Sequence, residues 1–497
     1  MSLILPKNTV DLIESVENDY RHPGLQLDKF SVPGDQKAQK TALDNVCRIR
    51  GDSPLLVILN ERRTRSLATL LGTTAFHCTT TGPLSLHLSR ASALENAGIC
   101  LHPLYGFAYL PGSGLKGMAH AYAETVWRPA EQDQEQAQKQ IKEIFGASDS
   151  DRELSSGNIV FHDAWPESWP SLIVDIVNNH HKDYYQDTTD DYPPGDWEAP
   201  NPVYFLAVKP DTTFSFPLSK RRADVDVDGN GKLLNLARQW LLGALCHLGA
   251  GAKTNAGYGV FRPANNIDET LYKKIGETWN IATDASPKSL RPLAEFKSTL
   301  ELITPAFLAG ADQYGDAAKE GCTLRPATLR GHLRWWWRTM HAGFLDVKTL
   351  RALEAAIWGD THSGGAVRIE LSQQNENPRM EPVEYSHPKN SPGRRYLAYG
   401  MDETHNEIPS KRFCLNPLAT WNLRFLARPA QYFNDRADIG DTEKEKNALR
   451  MNAESILEQA KAALWLLCAY GGVGSKAHKG FGSLVARDIG PFNLENC

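Results

Sequence analysis

The order of its predicted elements makes this chain an α+β protein: two tandem β-α-β…β-α-β units, each ferredoxin-like with insertions. Three observations carry that reading. Short motifs recur in the same order in both halves, a strand-like segment opens each half, and an apolar helix stands near the end of each.

The opening strands are Phe76-His-Cys-Thr-Thr-Thr81 and Thr299-Leu-Glu-Leu-Ile-Thr304, rich in β-branched and aromatic residues. Each leads to a helix start with the frame Leu-basic-Gly: Leu110-Pro-Gly-Ser-Gly-Leu-Lys-Gly117 and Leu324-Arg-Pro-Ala-Thr-Leu-Arg-Gly331. Next, Ile144-Phe-Gly146 is matched by Ile357-Trp-Gly359, each followed by a strand (157–163 and 365–371). Late apolar helices span 234–248 and 456–470. The closest match is gapless: Gly249-Ala-Gly-Ala-Lys-Thr-Asn-Ala-Gly-Tyr-Gly259 on Gly472-Val-Gly-Ser-Lys-Ala-His-Lys-Gly-Phe-Gly482. Glycine-rich loops resemble one another by chance, but three collinear matches do not arise that way. The expected division is a unit over 1–262, a linker over 263–292 with a short helix near 271–279, and a second unit over 293–497. The acidic, proline-bearing stretch 183–198 reads as a surface loop. Residues 1–70 carry no motif that assigns them a role.

Composition bounds the function. The 497 residues are 41% hydrophobic and 23% charged, which suits packed globular domains. The formal charge of −5 gives no global signal for nucleic acid, so a binding surface has to be local. The eight cysteines are scattered without a CxxC pair, so neither a zinc knuckle nor a redox motif is expected. With no basic n-region ahead of an apolar core and no apolar run of membrane length, the expectation is a cytoplasmic protein with no membrane partner and no cofactor.

The local basic features are two. Arg330, Arg334 and Arg338, spaced four apart, form one stripe on a helix, and no acidic residue lies between Leu324 and His341. Pro326 suits the first helical turn. A helix start offers free N–H groups and partial positive charge to phosphate. In the first half Ser113 is the expected N-cap, followed by Lys116. The alternative is a solvated face with tryptophans in the core. The glycine loops are the second feature. Successive N–H groups in such a bend can form an anion nest, with Lys253 and Lys476 in the same register and Lys479 added in the second copy. Tyr258 and Phe481 either stack on a base or fill the core. GxxxxGK[ST] is absent, so nucleotide hydrolysis is not inferred. Catalytic groups are thin. His332 among arginines, or His180 with a lysine, leaves open a metal-independent endoribonuclease. Adjacent His180 and His181 point to different faces, which argues against one shared metal.

These residues resemble the RAMP superfamily, the repeat-associated proteins of type III CRISPR effector complexes. His102–Gly117, Val174–His180 through Trp197 and Gly249–Gly259 resemble subunit six of the Cmr (type III-B) complex. Ile303–Gly310, Leu324–Arg338, Ile357–Gly359 and Gly472–Gly482 resemble subunit one. The resemblance implies ferredoxin-like (RRM-like) units and a non-catalytic, RNA-binding subunit. Such a subunit caps the backbone filament near the guide RNA 3′ end and contacts guide and target RNA in antiviral defence. Its implied partners are CRISPR guide RNA, target RNA, and the backbone and other subunits of the effector complex. The implied RNA contacts are Ser113, Lys116, Gly251, Lys253, Asn255, Tyr258, Arg325, Arg330, Arg334, Arg338, Gly474, Lys476, His478, Lys479 and Phe481; no catalytic residue is carried over. The sequence departs from the family in joining two subunits that are normally separate, and its second half is short.

Overall fold

The computed structural model describes residues 5–31, 34–88, 94, 97–147, 155–187, 189, 191–195, 197–225, 231–264, 280–281, 293–360, 364–373, 378–386, 391–401, 412–432 and 449–490. The chain divides into two compact units. The first comprises residues 1–174, 204–254 and 258–292, and the second 175–203, 255–257 and 293–497. Two short pieces of the amino-terminal half, 175–203 and 255–257, therefore belong to the second unit. Most of the expected linker, including its helix near 271–279, lies outside the described residues.

The first unit is built from β1 (Thr74–Thr80), α1 (Gly112–Tyr122), α2 (Gln134–Phe145), β2 (Ile159–Phe161), β3 (Thr213–Lys220), α3 (Lys232–Gly243) and β4 (Phe261–Pro263). β1 is antiparallel to both β3 and β4, and β2 is antiparallel to β3, giving the spatial order β4-β1-β3-β2. Asn280–Ile281 adds a strand parallel to Thr74–Ala75. Every residue of β1 is buried. The aromatic side chains set the core: Phe76 stacks on Phe216 at 5.3 Å, and Phe145 stacks on Trp240 at 5.7 Å. Among the described residues, four α-helices precede the sheet: Lys7–Ser15, Pro23–Asp28, Gln36–Cys47 and Ser53–Ala68. Asp35 and Asp52 cap the last two by accepting from Ala38 N–H and Leu55 N–H. Leu56 and Leu59 bury against Phe107, Trp165 and Trp169.

The second unit repeats the plan with β5 (Ala294–Leu302), α4 (Pro326–His341), α5 (Val347–Trp358), β6 (Val367–Gln373), β7 (Thr420–Ala427), α6 (Ala453–Tyr470) and β8 (Leu484–Ala486). β5 pairs antiparallel with β7 and β8, and β6 pairs antiparallel with β7, so the order is β8-β5-β7-β6. This is the same fourth-first-third-second arrangement as in the first unit, the ferredoxin-like order expected from the element sequence. Leu333, Trp337, Trp358, Trp421, Phe425 and Leu467 fill its core.

The repeated Ile-aromatic-Gly motif is a shared helix stop. Gly146 and Gly359 end α2 and α5 with φ of +96° and +84°, a region that disfavours any residue with a Cβ. Gly157 and Gly365 then pass so close to those helix ends that a Cβ would meet the Phe145 carbonyl oxygen at 2.8 Å and the Ile357 carbonyl oxygen at 2.7 Å.

Candidate nucleic-acid interface

The two glycine loops adopt the same backbone. Gly251, Lys253, Gly257 and Gly259 have φ of +80°, +60°, +81° and +62°; Gly474, Lys476, Gly480 and Gly482 have +83°, +63°, +83° and +72°. Their hydrogen bonds also correspond. Ala252 N–H donates to the Ser85 carbonyl at 2.8 Å, and Ser475 N–H to the Phe307 carbonyl at 2.9 Å. Gly259 N–H donates to Pro83 at 2.7 Å, and Gly482 N–H to Pro305 at 2.8 Å. Each loop is therefore strapped to the segment that leaves the first strand of its unit. A Cβ at Gly251 or Gly474 would run into the carbonyl oxygen of Ser85 or Phe307.

These bonds correct the expected anion nest, because the N–H groups of Ala252 and Ser475 already have carbonyl partners. Tyr258 and Phe481 are corrected as well. They are 2% and 8% exposed, Tyr258 lying 5.8 Å from Phe205 and Phe481 5.0 Å from Phe307, so they fill core and do not stack on bases. The lysines differ between the loops. Lys253 Nζ sits 4.9 Å from the Phe205 ring centroid, a cation–π contact. Lys476 is half-buried, and His478 and Lys479 beside it are exposed. Asn255 Nδ2 donates to the Gly365 carbonyl at 2.6 Å, which gives it a structural role.

The helix starts are not alike. α1 begins at Gly112, behind Pro111, and the exposed Ser113 makes no cap. The cap is Asp163, whose Oδ1 accepts from Gly112 N–H at 2.7 Å. A carboxylate thus holds the place where a phosphate was expected. Lys116, one turn on, is half-buried, and burial together with Arg221 holds its pKa below the usual lysine range. α4 begins at Pro326 as expected, with Arg325 at the N-cap position paired to Asp175. Among the described residues, nothing beyond the helix's own nearby backbone lies within 4 Å of where a Cβ would stand at Gly114 and Gly117 of α1 or Gly331 of α4, so both helices present bare backbone there.

The arginine stripe has the acid partner that α4 itself lacks. Glu354, from α5, is buried. Its Oε1 accepts from Arg334 Nε at 2.8 Å, Arg338 Nη1 at 2.7 Å and the Tyr185 hydroxyl at 3.0 Å, while Oε2 accepts from the Tyr184 hydroxyl at 3.0 Å. Arg334 also lies 4.9 Å over the Tyr185 ring. Arg338 is 6% exposed. These two guanidinia share one carboxylate and are held within the fold, which corrects their expected role as open phosphate ligands. Arg330 is different: its Nε is buried without a hydrogen-bond partner among the described residues. Burial, and then the like charge of Arg334, push its pKa down to about 9.

Tyr184 and Tyr185 sit on a helix, Lys182–Gln186, inside the excursion 175–203. The stretch read as a surface loop is therefore anchored through a fully buried tyrosine. Asp187 of the same excursion accepts from Arg351, and His181 Nδ1 lies 3.3 Å from Glu198 Oε1. His332 is half-buried; burial, with His478 and His180 in electrostatic reach, lowers its pKa to about 4. Among the described residues no group of three or more His, Cys, Asp or Glu is placed to hold a metal ion, and no helix is long and apolar enough to cross a membrane.

Sequence reasoning missed Glu354, Tyr184 and Tyr185. Glu354 had one readable signal, a lone acid at the hydrophobic spacing of α5 between Leu350 and Ile357. The prolines Pro83 and Pro305, which receive the loops, were a further repeated feature.

A family model described as the RAMP superfamily matches residues 69–262 and again 299–485. The chain is 37% identical over 122 residues to the CRISPR system Cmr subunit Cmr6 of Pyrococcus furiosus, covering 23% of this chain but only 32% of that protein. It is 26% identical over 190 residues to the Cmr subunit Cmr1-2 of the same organism, covering 37% of this chain and 91% of that one. Among solved structures, a type III-B Cmr-beta complex bound to cognate target RNA contains a similar chain. That match has a TM-score of 0.34 at 21% identity and covers 47% of this chain and 77% of the other.

Proposed function

Because the chain belongs to the RAMP superfamily over both its units, with a Cmr6-like and a Cmr1-like part, we propose that it is a non-catalytic, RNA-binding subunit of a cytoplasmic type III-B CRISPR effector ribonucleoprotein. In this reading it caps the backbone filament near the guide 3′ end and touches guide and target RNA. One chain supplies what two separate subunits supply elsewhere, which fixes their ratio at one to one and raises their effective concentration for each other.

The observation that carries the proposal is the pair Lys253 and Lys476. Both hold φ near +60°, where glycine is favoured and a side chain costs on the order of 1–2 kcal/mol. Backbone geometry alone would select glycine there, so retention of lysine in both loops supports a role for the ammonium group. Phosphate is the ligand that suits it, with Lys479, His478 and Arg330 adding positive or protonatable groups in the second unit. The bare helix backbone at Gly117 and Gly331 leaves room for a nucleic-acid backbone to approach closely.

The test replaces each loop lysine by the residue its backbone prefers. Lys253→Gly and Lys476→Gly are expected to fold at least as stably as the parent. The double variant is expected to retain less guide RNA in the assembled complex, with Lys476→Gly having the larger effect because Lys253 is engaged with Phe205. Undiminished guide retention in the double variant removes the loops from the RNA interface.

A further inference from the structure

Five arginines of the second unit lie on or beside α4: Arg325, Arg330, Arg334, Arg338 and Arg351. Four have carboxylate partners, namely Asp175 for Arg325, Glu354 for Arg334 and Arg338, and Asp187 for Arg351. Asp175 and Asp187, like the two tyrosines that complete the Glu354 cluster, come from the excursion 175–203. Arg330 is left with a buried Nε and no hydrogen bond to it among the described residues. Tyr185, Arg334 and Glu354 are all in electrostatic reach of it. Its neighbour Gly331 leaves open space. Arg330 alone of the five has no carboxylate partner among the described residues, so an anion from outside the chain is the ligand its charge suits.

We infer that Glu354, held by Tyr184 and Tyr185, is a positioning residue that decides which guanidinium of the α4 stripe meets an RNA phosphate: Arg330 is offered, and Arg334 and Arg338 are withheld. The inference rests on the RNA-binding reading and deepens it. Arg334 cannot turn outward while its Nε is bonded to Glu354 and its plane lies over Tyr185. Arg338 is fixed twice, to Glu354 and, at 3.0 Å, to the Tyr185 hydroxyl oxygen. The excursion thereby selects the phosphate contact without making it.

The experiment measures the affinity of the full-length chain for an unstructured single-stranded RNA across a salt series. Each lost phosphate contact reduces the slope of log K against log salt by about 0.7. Arg330→Met is expected to flatten the slope by about that amount, and Arg334→Met and Arg338→Met to leave it unchanged. Glu354→Gln, which releases the two withheld guanidinia, is expected to steepen it. A slope flattened as much by Arg334→Met as by Arg330→Met overturns the inference, as does an unchanged slope in folded Glu354→Gln protein. If Glu354→Gln does not fold, Tyr185→Phe takes its place, with a smaller steepening expected and an unchanged slope counting against the inference. A parent chain whose RNA affinity ignores salt overturns the RNA-binding reading itself, which is a different result from a wrong partition among arginines.

Discussion

Arg334 Nε donates to Glu354 Oε1 at 2.8 Å, and the carboxylate side chain that receives it is only 1% exposed. A charge that deeply placed is tolerated because four donors surround it: two guanidinia and two phenol hydroxyls. Its removal leaves those donors facing one another.

The carboxyl of Glu354 is accordingly held down to about 2, against an ordinary 4.5. Burial opposes this, and the Arg334 and Arg338 charges more than offset it. Because the folded value lies below the unfolded one, the contribution is fully present above pH 4.5 and is lost as pH falls toward 2. The parent chain is expected to lose about 3 kcal/mol from this group over that window. Thermal denaturation at a series of acid pH values should show a flatter limb for Glu354→Gln, together with lower stability at pH 7. Coincident acid limbs would assign the loss to other groups.

Two glycines of the second unit should respond to alanine with opposite sign. Gly474→Ala places a Cβ at φ +83° and drives it into the Phe307 carbonyl, so a loss of at least about 2 kcal/mol is expected. Gly331→Ala adds a methyl group to open space in mid-helix and should gain roughly 0.5–1 kcal/mol. Urea denaturation measures both. The proposed function adds that the more stable Gly331→Ala protein binds RNA less tightly; equal or tighter binding would show that nothing approaches the helix there.

The endoribonuclease alternative has a separate test. With its imidazole lowered to about 4, His332 is neutral at pH 7 and holds no ready proton for a leaving oxygen. Incubation with repeat RNA in the absence of metal ions is expected to leave the RNA intact. Specific cleavage that disappears in His332→Ala would establish the enzyme instead.

Much of this was legible in the residue order. The ferredoxin-like duplication follows from motifs that turn out to share structural jobs: helix stops at Gly146 and Gly359, and loop straps at Gly251 and Gly474. Helix α4 begins at Pro326, as its fixed φ favours. Strand β5 starts at Ala294, five residues before the apolar run indicates, because charged Glu295 and Lys297 lie in the strand. Glu295 pairs across the sheet with Arg424 of β7. Long-range partners were not readable. Asp163 caps α1 from 51 residues away, displacing the locally favoured Ser113. The missing acid of the arginine stripe lies on the next helix, and its two hydroxyl donors lie in a stretch whose acidic, proline-bearing composition reads as solvated loop. Local pattern identifies which elements form, but not which buried charge each one meets.

The excursion also dictates an order of events during synthesis. Tyr184 precedes the carboxylate it bonds by 170 residues. At roughly 5–20 residues per second, a ribosome needs about 10–30 s to cover that interval. Throughout it, the Lys182–Gln186 turn has emerged while the helix that buries it has not been made. The amino-terminal half therefore cannot complete this segment on its own schedule, and its two tyrosines wait, wetted, for the last third of the chain.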